Sequence, residues 1–79
     1  MRLGGGIRHA ELGMKLWVNG EERAFEAAPH VAALVAALDL DARKIAVERN
    51  LEIVPRSVYE VTPLNEGDHI EIVHFIGGG

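Results

Sequence analysis

Apolar and polar residues alternate at the two ends of this sequence and recur at helical spacing once between them. Met14-Lys15-Leu16-Trp17-Val18 reads as a strand, and Asn19-Gly20 after it is a strong short-range hairpin signal. The return strand runs from about Glu21 to Ala27. A two-residue turn sets Val18 opposite Glu21, Leu16 opposite Arg23 and Met14 opposite Phe25. Leu16, Val18 and Phe25 then share the core face, and Trp17 points to the other. Val31, Leu34, Val35 and Leu38 follow at i, i+3, i+4 and i+7, one apolar stripe on a short helix. Pro29 fits a first helical position, and Ala28 before it is a poor cap.

The second half reads as short strands separated by turns. One covers about Ile45 to Glu48 and ends at Arg49-Asn50; another, Glu52-Ile53-Val54, is stopped by Pro55. Ser57 to Glu60 suits one helical turn with Ser57 as its cap, and Asn65-Glu66-Gly67-Asp68 suits a turn. The last strand runs from about His69 to Phe75, with Ile70 and Ile72 on one face and Val73 and Phe75 on the other. Apolar residues on both faces predict a central strand or one with an adhesive outer face. Hairpin, helix, two short strands, helical turn and final strand together predict an α+β domain, one helix covering one face of a mixed sheet. The first and last strands are the longest and most apolar, which places them side by side in the middle.

The final strand runs directly into Gly77-Gly78-Gly79 at the end of the sequence. Glycine has no Cβ, so such a tail enters a narrow channel and leaves a terminal carboxylate unshielded. The four residues from Ile76 reach roughly 13 Å when extended. Residues 1–13 contain another glycine run and sustain no apolar period, which predicts a flexible extension outside the fold. The expected division is therefore 1–13 extension, 14–76 domain and 77–79 flexible tail.

Composition narrows the function classes. A formal charge of −4 with no basic run disfavours nucleic acid. No stretch is apolar enough for a membrane span and no secretory signal opens the chain, so a cytoplasmic location is expected. There is no cysteine, which excludes disulfides, thiolate metal sites and a cysteine nucleophile. His9, His30, His69 and His74 are scattered; each reads as a surface or edge residue without a role, and no metal site is expected. No acid–base pair or nucleophile suggests catalysis by this chain.

Val18-Asn19-Gly20-Glu21, Ala46-Val47-Glu48-Arg49-Asn50, Ile53-Val54-Pro55-Arg56, Leu64-Asn65-Glu66-Gly67-Asp68 and Ile70-Glu71-Ile72-Val73 fall in that order before the glycines. Together these segments, spanning Met14 to Gly79, resemble the ThiS family of sulfur carriers within the ubiquitin-like ThiS/MoaD superfamily. The N-terminal extension departs from that pattern. So does the third glycine: Gly78 and Gly79 match the diglycine motif and Gly77 is additional. The resemblance implies a β-grasp (ubiquitin-like) fold with four to five strands.

It also implies a chemistry. A ubiquitin-activating-type (ThiF-like) adenylyltransferase uses ATP to adenylate the Gly79 carboxylate, and sulfur from a donor such as cysteine desulfurase converts it to a thiocarboxylate. Thiazole synthase (ThiG-like) consumes that sulfur in thiamine biosynthesis. The carrier itself binds no cofactor, and Gly77 and Gly78 thread the partner's active site. The alternatives are the small subunit of molybdopterin synthase, a lysine-conjugated ubiquitin-like modifier and a plain interaction module. Ile53-Val54-Pro55-Arg56 and the Asn-Gly hairpin favour the thiamine branch. Trp17, Val73 and Phe75 form a candidate docking patch beside the tail; the competing reading covers them with the loop around Tyr59 or with the N-terminal segment.

Overall fold

The computed structural model describes residues 13–26 and 28–75. Five strands form one mixed sheet: β1 (Met14–Val18), β2 (Glu21–Phe25), β3 (Ile45–Arg49), β4 (Glu52–Val54) and β5 (His69–His74). Their spatial order is β2-β1-β5-β3-β4, so the first and last strands are neighbours and β5 is central. β5 runs parallel to β1, with Trp17 beside His69, and antiparallel to β3, with Val47 beside Ile72. The two outer pairs are antiparallel hairpins. The β1–β2 register is the one that Asn19-Gly20 predicts, with Met14 opposite Phe25 and Val18 opposite Glu21.

The single α-helix among the described residues, α1 (Val31–Ala37), buries Val31, Leu34 and Val35 against the inner face of the sheet. Leu16, Val18, Ile45, Val47, Val54, Ile70 and Ile72 meet it there, joined by Tyr59 and Leu64 from the β4–β5 connection. At about 1.5–3 kcal/mol for each fully buried large aliphatic side chain, this shared face supplies most of the driving force for folding.

The start of the helix differs from expectation. The helix begins at Val31 and Pro29 precedes it, because His30 is held extended (φ −148°, ψ 170°) and is the N-cap. The His30 ring Nδ1 accepts the Ala33 N–H at 3.1 Å, doing what Ser or Asp commonly does. A β-bridge from His30 to Pro63, and the Leu64 N–H donated to the Pro29 carbonyl at 3.0 Å, keep this segment out of the helix. A histidine expected to lack a role therefore has a structural one.

At the other end, Asp39 adopts a left-handed conformation (φ 59°). The Leu40 N–H donates to the Val35 carbonyl and the Asp39 N–H to the Ala36 carbonyl, which is Schellman closure without glycine.

Three smaller differences have local causes. β2 ends at Phe25, earlier than expected, and Ala27 lies outside the described residues. The helical turn is a 3₁₀ turn at Arg56–Val58 whose cap position is Pro55, so Ser57 is inside it and caps nothing. Gly13, assigned to the extension, lies against the end of β2, and a Cβ there would collide with the Phe25 carbonyl oxygen. Residues 1–12 are outside the described residues.

Candidate functional site

β5 is the platform from which the C-terminal residues leave, and it is anchored along its length. At its base the Asp68 carboxylate, almost fully buried, accepts from Arg49 Nε at 2.8 Å, Asn50 Nδ2 at 3.0 Å and the Asn65 N–H at 2.8 Å. Its backbone carbonyl accepts the Trp17 N–H at 2.9 Å. Burial alone would raise the Asp68 carboxyl, but the hydrogen bonds from Asn50, Asn65 and Arg49 outweigh it and hold the group below its ordinary value. One side chain at the foot of β5 therefore joins the end of β3, the β3–β4 turn and the loop before β5, while its own carbonyl reaches β1.

Midway along β5, the Asn19 side chain substitutes for a strand that has turned away. Its Nδ2 donates to the Ile72 carbonyl at 3.2 Å and its Oδ1 accepts the Ile72 N–H at 2.7 Å. The ladder to β1 is thus extended beyond Val18 by a side-chain amide. At the far end the Phe75 N–H donates to the Lys44 carbonyl at 2.9 Å. Residues 76–79, with the candidate tail Gly77, Gly78 and Gly79, lie outside the described residues.

The outer face of the sheet carries the second candidate feature. Trp17, Val73 and Phe75 are 36%, 60% and 64% exposed, on the face or edge away from the helix. The Trp17 indole stacks on the His69 ring at 5.7 Å with the planes within 7°. Tyr59 is buried in the core on the opposite side, so its loop does not cover this face. Burial pushes the Tyr59 phenol upward, with Arg56 opposing, and the residue lines an open cleft of about 400 Å³ with Ala32, Val35 and Glu60.

Among the described residues no group of three or more His, Cys, Asp or Glu side chains could hold a metal ion, and no helix is long and apolar enough to cross a membrane. The roles of Asp68, Asn19 and His30 were not read from the sequence. Asp68 and Asn19 stand in turn motifs that explain them locally, and their partners lie up to 53 residues away in sequence.

A five-stranded mixed sheet with α1 on one face and a glycine sequence after its central strand defines a ubiquitin-like β-grasp protein. Residues 16–79 match the ThiS family model, and the chain belongs to the ThiS family. It is similar to a thiazole synthase of Paramagnetospirillum magneticum, 61% identical over 66 residues that make up 84% of this chain and 20% of that protein. A thiazole synthase of Magnetococcus marinus is 46% identical over the same shares. The chain thus spans about a fifth of the length of these two relatives. The sulfur carrier protein ThiS of Bacillus subtilis is 46% identical over 58% of this chain and 70% of its own. The crystal structure of the thiamine biosynthesis protein ThiS from Geobacter metallireducens superposes with a TM-score of 0.72 at 35% identity, covering 84% of this chain and all of that one.

Proposed function

We propose that this chain is a sulfur carrier of thiamine biosynthesis and that the Gly79 carboxylate carries the sulfur. The observation that carries the reading is a ThiS-family β-grasp domain whose central strand, anchored on both sides, leads into three glycines at the end of the sequence. A carboxylate is a poor electrophile. Adenylation by an ATP-dependent, ubiquitin-activating-type partner makes it an acyl adenylate and releases pyrophosphate. The terminal sulfur of a desulfurase persulfide, formed as cysteine becomes alanine, then attacks the acyl carbon and expels AMP to give an acyl disulfide. A thiol reductant cleaves that S–S bond, leaving the thiocarboxylate and a disulfide.

The chain's own contribution is geometric. The sheet fixes Phe75, and Gly77, Gly78 and Gly79 present no side chain to the partner's channel. ATP belongs to the activating partner, and the chemistry is performed by the partners in the cytoplasm rather than by this chain. The relatives named thiazole synthase support that enzyme as the sulfur acceptor, and Trp17, Val73 and Phe75 are the surface offered to partners.

The test is intact mass spectrometry of the protein after incubation with the adenylating enzyme, ATP, a cysteine desulfurase, cysteine and a thiol reductant. The expected result is a mass gain equal to replacing one oxygen by sulfur, localised to Gly79, in a mature chain that ends there. An unmodified Gly79 beside a demonstrably active partner overturns the reading. Gly79→Val should lower sulfur loading by about 100-fold or more, because a misplaced reacting group costs at least that much. Its thermal midpoint should match wild type.

A further inference from the structure

On the outer face, above the β3–β4 turn, is a notch of about 330 Å³ lined by Asn50, Leu51, His69 and Glu71. Its walls are mainly apolar, and the stacked Trp17–His69 pair continues one of them. Glu71 stands in register with Glu48 on β3, and Glu48 with Ile53 on β4, so two carboxylates face each other across adjacent strands in the middle of the patch. Like charges directly opposite on a sheet destabilise it. Neither glutamate has an ion-pair partner among the described residues. Around them Leu51 is 88% exposed and Ile53 74% exposed. An unneutralised acidic pair inside an apolar rim does nothing for the isolated domain, and it is complementary to a cation carried on an apolar stem.

We propose that this notch receives an arginine or lysine side chain of a thiazole synthase, whose charged head neutralises Glu48 and Glu71 while its stem lies against Leu51 and His69. This proposal rests on the sulfur-carrier reading. A second copy of this chain is a poor occupant, since its formal charge of −4 would bring one acidic face against another. Thiazole synthase is favoured because sequences similar to this chain occur within single polypeptides named thiazole synthase in two organisms. A shared chain keeps two surfaces at high effective concentration. The carrier surface must then be one that such an enzyme can meet.

The experiment measures binding of the full chain to the thiazole synthase of the same organism by titration calorimetry at low and moderate salt. The proteins compared are wild type, Glu48→Gln with Glu71→Gln, Leu51→Gly, and a Glu60→Gln control. The double variant should bind about tenfold weaker or more, with a shallower salt dependence, as for loss of an interfacial charge pair. Its thermal midpoint should stay equal or rise, because the repulsion is relieved. Leu51→Gly should bind several-fold weaker, and the control should bind as wild type. Wild-type binding with an unaffected double variant overturns the notch and leaves the sulfur-carrier reading standing. No binding of wild type to an active synthase overturns the notch together with the choice of acceptor enzyme.

Discussion

The two hairpins at the edges of the sheet make similar backbone turns with different residues. In the β1–β2 turn Asn19 and Gly20 have φ of 51° and 84°; in the β3–β4 turn Asn50 and Leu51 have φ of 50° and 74°. Both asparagines turn their side-chain amides toward β5, Asn19 to the backbone of Ile72 and Asn50 to the His69 N–H and the Asp68 carboxylate. The central strand is therefore held from each flank by a turn residue as well as by a ladder. The difference lies in the second position. Glycine meets the left-handed geometry without strain, whereas a leucine there is strained and almost wholly in water. One turn follows the needs of the backbone. The other retains a side chain the backbone disfavours, which separates what folds the hairpin from what the hairpin displays.

The largest expected effect tests the flank that has the extra anchor. Asp68→Asn removes charge-assisted bonds to Arg49, Asn50 and Asn65 and should cost about 2–3 kcal/mol in chemical denaturation. Hydrogen exchange should quicken first at the β3–β4 turn, leaving β1–β2 protected. If both hairpins loosen equally, the carboxylate is not specific to one flank.

The same residue predicts a pH dependence. A depressed folded-state value means that the Asp68 contribution is complete above the ordinary carboxyl value of about 4 and is lost as pH falls through the lower folded-state value. Wild type should lose stability over that acid window, and the gap to Asp68→Asn should narrow.

On the other flank, Asn19→Ala leaves the N–H and carbonyl of Ile72 without their partners and should cost about 1–3 kcal/mol by the same measurement. A loss below that range would show that water replaces the amide easily.

The smallest effect is the sharpest comparison. Exchanging the second turn residues should give opposite signs: Gly20→Leu destabilises and Leu51→Gly stabilises, each by about 1 kcal/mol. Should Leu51→Gly destabilise instead, Leu51 serves the fold, and the contrast between the two turns disappears.

The legible parts of this fold were those with local signals. Asn19-Gly20 set the register of the first hairpin, and alternation sorted Leu16 and Val18 from Trp17, and Ile70 and Ile72 from Val73. Pairing of the first and last strands followed from their length and apolar content. The break between Arg49-Asn50 and Glu52 was legible, but a leucine carries no hairpin signal, so the tight pairing of β3 with β4 was not. His30 concealed the helix start because an imidazole is an uncommon cap. Asp68 looked like a turn residue, and its carboxylate acts on Arg49 and Asn50, which only folding brings near. At the candidate site, strand alternation turned Trp17, Val73 and Phe75 away from the core but left open what covers them, and their exposure was visible only in the fold. The notch was not legible either, because its walls come from two separate segments of the chain, the β3–β4 turn and β5.

The parallel pairing of β1 with β5 has a mechanical consequence. The start of β1 and the end of β5 lie at opposite ends of the shared ladder, so a pull applied at Phe75 against the N-terminal side of the domain loads that ladder in shear. Its bonds, together with the Asn19 amide on Ile72, then resist as a set instead of opening singly. A partner that grips the chain beyond Phe75 can drag the whole domain as one body, and the handle should withstand the tug.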